Sequence, residues 1–157
     1  MMDDRAVTHS TFVIECTYPS TPEQVFAAFA DSAKKSKWFA SDEGSTIEEY
    51  EMDFRIGGKE HRRGVIGSGP YKGTPLENHT VYQDIVPNQR IVLAYTMTIG
   101  DNRMSASLAT FEFVSNGQGT NLVFTEQGAY FAGADGPEMR KEGWTHMLAR
   151  LAKKLES

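Results

Sequence analysis

A single cysteine, Cys16, is the whole thiol content of the 157 residues, so no disulfide forms within the chain. Its place in an alternating apolar segment fits a small core residue in a reducing compartment, not a nucleophile. There is no basic surplus: 16 Lys and Arg stand against 21 Asp and Glu, for a net charge of -5. Binding to a phosphate backbone needs a concentrated positive surface, so nucleic acid is not an expected partner. The nearest thing to a basic run, Lys34-Lys35-Ser36-Lys37, reads as the solvated face of a short helix. No window approaches the ~18 consecutive apolar residues of a membrane span, and no membrane partner is expected. Met1-Met2-Asp3-Asp4-Arg5 supplies neither the charged nor the apolar region of a signal peptide, which points to the cytoplasm. His9, His61, His79 and His146 fall on four separate segments without a Cys pair or a His-x-x-x-His spacing, so neither a metal nor a cofactor is expected. No Gly-x-Ser-x-Gly elbow is present, and no catalytic residue is assigned.

What is present is an alternation of short apolar patterns with turn residues. Thr11 to Tyr18 alternates at period two, with Phe12, Ile14, Cys16 and Tyr18 on one face, and Pro19 stops it. Thr21-Pro22-Glu23-Gln24 is a capping box with proline at the first helical position, and it predicts a helix from Pro22 to Ala30. A second short helix from Ala33 to Lys37 delivers Trp38 and Phe39. Strands are expected from Thr46 to Ile56, Lys59 to Ile66, Glu77 to Val86, Arg90 to Ile99, Met104 to Val114 and Thr120 to Gln127. Their short connections, such as Pro87-Asn88-Gln89 and Asn116-Gly117-Gln118-Gly119, force antiparallel hairpins, because parallel pairs need longer crossovers. A loop over Tyr130 and Phe131 and a capping signal at Asp135-Gly136-Pro137-Glu138 then lead into a helix ending near Leu155. Its apolar stripe is Trp144, Met147, Leu148, Leu151 and Leu155. At 1.5 Å per residue this helix is roughly 28 Å long, enough to cross the sheet. Gly143 inside it costs about 1 kcal/mol against alanine, which points to a local reason such as close approach to a strand.

The order strand, two helices, six hairpin-linked strands and long helix resembles the START-like (SRPBCC, Bet v-like) superfamily. The resemblance implies an α+β helix-grip fold, a curved seven-stranded antiparallel sheet around the C-terminal helix, in a single domain over residues 1–157. Local strings narrow it. Phe54-Arg55-Ile56-Gly57-Gly58-Lys59-Glu60, Asp84-Ile85-Val86-Pro87 with Arg90-Ile91-Val92, and Ser107-Leu108-Ala109-Thr110 are similar to the bacterial branch of the activator of heat-shock protein 90 ATPase homologue family. So are Gly119-Thr120-Asn121-Leu122, Thr125-Glu126-Gln127-Gly128-Ala129 and Arg140 through Gly143-Trp144. Fold does not determine function, so the resemblance implies the architecture more firmly than any chaperone contact.

Polar residues on otherwise apolar faces mark a candidate cavity. Glu126 shares a strand face with Leu122 and Phe124, where an unpaired carboxylate would be desolvated. His79 and Gln83 share parity with Val81 and Ile85, and Ser105 and Ser107 share a face with Phe111. Trp38, Phe54, Tyr95, Met97, Phe124, Tyr130, Trp144 and Met147 supply apolar walls suited to a small hydrophobic or aromatic ligand. One of Arg62 and Arg63 is expected to face inward and to pair with Glu126. The leading function is a non-catalytic carrier or sensor. A cyclase or dehydratase using His79, Glu126 and an arginine is a second reading, and a chaperone-associated interaction module is a third. A homodimer is left open.

Overall fold

In the computed structural model, which describes residues 6–40, 46–131 and 136–156, the hairpin spacing produces one antiparallel sheet. Its strands are β1 (Val7–Tyr18), β2 (Thr46–Met52), β3 (Lys59–Val65), β4 (Pro75–Val86), β5 (Arg90–Ile99), β6 (Asn102–Ser115) and β7 (Thr120–Phe131). The order across the sheet is β1-β7-β6-β5-β4-β3-β2. Helices α1 (Pro22–Ala30) and α2 (Ser32–Lys35), followed by a π-helical turn at Ser36–Ala40, connect the two edge strands. The C-terminal helix α3 (Gly136–Leu155) lies on the inner face, which makes this the START-like helix-grip fold. Register shifts at Ile47/Glu49, Tyr82/Asp84 and Met97/Thr98 add bulges, and a bulged strand bends and twists more strongly.

The local signals act as chemistry requires. Thr21 accepts from the Gln24 amide while the Gln24 side chain accepts from the Thr21 amide, so two orphan donors at the start of α1 are satisfied. The capping signal at Asp135 lies outside the described residues. Three elements depart from expectation. β2 ends at Met52, because Asp53 to Gly58 folds into a turn in which Arg55 and Gly58 amides donate to Asp53 and Arg55 carbonyls. A Cβ on Gly58 would sit 2.1 Å from the Asp53 oxygen, and Ile56 is left 62% exposed. β7 continues through Gly128 to Phe131, since pairing with β1 on one side and β6 on the other holds it extended. Lys35, expected on a solvated face, is buried.

The inner faces of β5, β6, β7 and β1 form the core with α1 and α3. Phe111 and Phe124 stack face to face with centroids 4.6 Å apart. Trp144 sits over them, 5.6 and 4.6 Å from their centroids, and also touches Phe39 and Tyr95. Arg140, Trp144, Leu148 and Leu151 are the buried stripe of α3. Truncating Trp144 to alanine removes the ring that four aromatic neighbours surround, and Trp144→Ala should cost about 3 to 5 kcal/mol in chemical denaturation. A loss below ~1 kcal/mol would mean that α3 is not held by this stripe.

Candidate functional site

Two buried ionic groups and one open cleft occupy the space between sheet and helix. The first group is built on Glu126, which the alternation of β7 points inward beside Phe124 and which is fully buried. Tyr95 on β5 donates to its Oε1 at 2.5 Å, and Tyr130 and Ser107 donate to Oε2 at 2.6 and 3.3 Å. Arg140 of α3 stands 3.7 Å from the same carboxylate, donates to the Tyr95 hydroxyl at 3.1 Å, and donates to Ser105 at 2.8 Å. The indole of Trp144 donates to Tyr95 at 3.2 Å. Tyr130 reaches back over Gly128, where a Cβ would lie 2.7 Å from its ring. That glycine lets the hydroxyl reach a carboxylate four residues earlier on the same strand. Burial comes first in raising the Tyr95 phenol well above its ordinary value, and the neighbouring Glu126 reinforces it while Arg140 opposes it.

The second group is built on Glu60 of β3. Lys35 donates to its Oε1 at 2.7 Å, Tyr82 to the same oxygen at 2.5 Å and Tyr50 to Oε2 at 2.7 Å. The ammonium also lies 4.6 Å from the Phe39 ring centroid. Burial alone would push the Glu60 carboxyl up. The Lys35 charge and the three hydrogen bonds outweigh it and hold the carboxyl below the ordinary range. Arg62 is the inward one of the two adjacent arginines. It does not pair with Glu126: it donates to the Phe39 carbonyl at 2.8 Å and to Asn78, and its guanidinium stacks over Phe39. Arg140, placed on the buried stripe of α3, takes the Glu126 carboxylate instead.

Between these groups the helix and sheet leave a small, partly open gap of about 40 Å³, bordered by Glu60, Arg62, Tyr95, Met97, Trp144 and Met147. It opens alongside a cleft of about 490 Å³ between α3 and the β2 to β5 side of the sheet. Ile47, Val65, Leu76, Met97, Met139, Trp144 and Met147 form its apolar wall, and Arg62, Arg140, His146 and Arg150 its polar one. Gly143 lies on the α3 side of this cleft. A Cβ there would meet nothing within 4 Å, so its reason is open space and not close approach to a strand.

The expected cavity residues therefore divide. Met97, Trp144 and Met147 reach the cleft, and Tyr95 reaches the gap. Phe54, Ser107, Phe111, Phe124, Glu126 and Tyr130 border neither; they are packing residues or members of the Glu126 group. Trp38 is fully buried, and it borders a separate depression beside Leu151 and Lys154. His79 and Gln83 are corrections: both are exposed on the outer face, because Asn78, Thr80 and Tyr82 take the inward positions of β4. Sequence reasoning missed Lys35, Glu60, Tyr50, Tyr82 and Arg140.

The family model for Activator of Hsp90 ATPase homolog 1-like protein matches residues 19–156, and the chain belongs to that family. Among solved structures it is similar to Mll3558 of Rhizobium loti, with 46% identity over 95% of this chain and 99% of that one and a TM-score of 0.85. A Rhizobium leguminosarum protein is 36% identical over 97% of each chain, with a TM-score of 0.88. CalU16 of Micromonospora echinospora, at 18% identity over 96% of this chain and 84% of that one, shares the fold with a TM-score of 0.62. No curated protein matches. Among the described residues, no helix is long and apolar enough to cross a membrane.

Removing Lys35 would leave the buried Glu60 carboxylate without its counter-ion, held only by Tyr50 and Tyr82, so Lys35→Met should cost about 3 to 5 kcal/mol, and Lys35→Met with Glu60→Gln should cost less. Because the folded pKa of Glu60 is depressed, its stabilisation is complete above the ordinary glutamate value of about 4.3 and is lost as pH falls through the lower folded value. Urea denaturation across acid pH should therefore show a shallower loss below pH ~4.3 in the double variant than in the parent. An equal acid slope, or a cost below ~1 kcal/mol for Lys35→Met, would contradict the assignment.

Proposed function

We propose that the protein is a non-catalytic carrier or sensor that binds a small amphipathic molecule in the cleft between α3 and the β2 to β5 side of the sheet. The observation that carries this reading is Gly143. A glycine in the middle of a 20-residue helix costs about 1 kcal/mol against alanine, and this one leaves empty space that forms part of a cleft wall. The cleft, at about 490 Å³, falls within the ~300 to 1,000 Å³ range of small-molecule sites. Met97, Met139 and Met147 give an adaptable surface and Trp144 a rigid one, suiting an aliphatic or aromatic body.

The polar wall supports an anionic or hydrogen-bond-accepting end on the same ligand. Arg62 Nε is shielded from solvent and has no hydrogen-bond partner, and a buried unsatisfied donor normally finds one. Arg62 also lines the cleft, so a carboxylate or carbonyl bound there would lie beside its guanidinium. A cyclase or dehydratase using His79 and Glu126 gains no support, because His79 is on the outer face and Glu126 is held by three hydroxyls.

Native mass spectrometry of freshly purified protein, followed by thermal-shift titration with aromatic and aliphatic carboxylates and their neutral amides, tests the reading. Gly143→Leu should keep or raise the melting temperature, since leucine is the better helix former, while abolishing the ligand-induced shift. Gly143→Ala should gain up to about 1 kcal/mol of stability and retain most binding. Carboxylates should outperform amides. Undiminished binding in Gly143→Leu would place the ligand elsewhere.

A further inference from the structure

We infer that the outer face of the sheet carries a second site, independent of the cleft, at which His61, His79 and Glu77 bind a divalent transition-metal ion of the zinc class. The four histidines lie on separate segments of the sequence, but the β3 to β4 register sets His61 directly opposite His79. Their rings stack with centroids 4.5 Å apart and an interplanar angle of 17°. Glu77 lies two residues before His79, and the strand alternation puts both on one face. Its Oε1 touches His79 Nε2 and stands 3.4 Å from His61 Nε2. One donor atom from each of the three residues falls within 4.8 Å of the others.

Two imidazoles and one carboxylate are a donor set for zinc-like ions and leave a fourth position for water, whereas magnesium and calcium select all-oxygen sites. The orientation of His61 is the independent observation. Its Nε2 is shielded from solvent and makes no hydrogen bond, with the nearest Glu77 oxygen beyond the ~3.2 Å of a well-formed one. On the opposite side of the ring, Nδ1 faces Oε2 of Glu49 on β2 at 4.0 Å. At 4.0 Å this carboxylate makes no hydrogen bond to the ring, but its negative charge favours a cation held beside it. The His79 side chain is 54% exposed and that of Glu77 35%, so both can close to metal-bond distance without disturbing the core.

The test is calorimetric titration of Zn²⁺, with Mg²⁺ as control, into the untagged full chain after removal of metals with a chelator. One equivalent should bind at micromolar concentration or tighter, and Mg²⁺ should give no heat. His79→Gln and His61→Gln should each weaken binding by at least about tenfold, because each removes one of three ligands. Should His61→Gln fail to fold, the exposed His79 position still decides the matter. Binding only at millimolar Zn²⁺, equal binding of Mg²⁺, or an unchanged affinity in His79→Gln would overturn the site.

Discussion

A carboxylate buried without partners would cost this fold several kcal/mol, and the inner half of the sheet is organised to avoid that at Glu126. Tyr95, Ser107 and Tyr130 donate to it from three strand positions, and Arg140 brings the compensating charge from α3. Desolvating an ion costs several kcal/mol unless its partners are well placed, so α3 cannot rotate or slide without leaving Glu126 and Arg140 exposed to that cost. The helix is thus docked by direction as well as by burial. Trp144, one turn after Arg140, reads the same constraint: its ring packs on Phe111 and Phe124 while its N–H reaches Tyr95.

Glu60 does the same for the other end of the inner face. Its partners come from α2 and from strands β2 and β4, so one carboxylate ties the helical connection to the sheet edge. Between the two groups the side chains do not close up. Arg62 is drawn to Phe39 and Asn78, α3 presents Gly143 where a side chain would fill the gap, and the methionines stay at the margin.

The parts of this arrangement written in local pattern were legible in advance. Period-two alternation identified the inward sets of β5, β6 and β7, including Glu126, and the capping box at Thr21 placed α1. The failures have physical causes. In β4 both parities carry apolar residues, and the bulge at Tyr82/Asp84 changes the face along the strand, so parity with Val81 and Ile85 alone places His79 and Gln83 on the wrong face. Lys35 sits in a basic run whose partner, Glu60, is brought to it only by the fold. Arg140 did have a signal: it precedes Trp144, Leu148 and Leu151 at helical spacing, so an arginine on the apolar stripe should have been matched with the one carboxylate on an apolar strand face.

Hydrogen exchange of Glu126→Gln is the most direct test of whether this carboxylate docks α3. The substitution keeps the shape and removes the charge that faces Arg140. Amides in the first half of α3 should exchange markedly faster while β5, β6 and β7 stay protected. Unchanged exchange in α3, or an equal loss of protection across the whole sheet, would contradict the account.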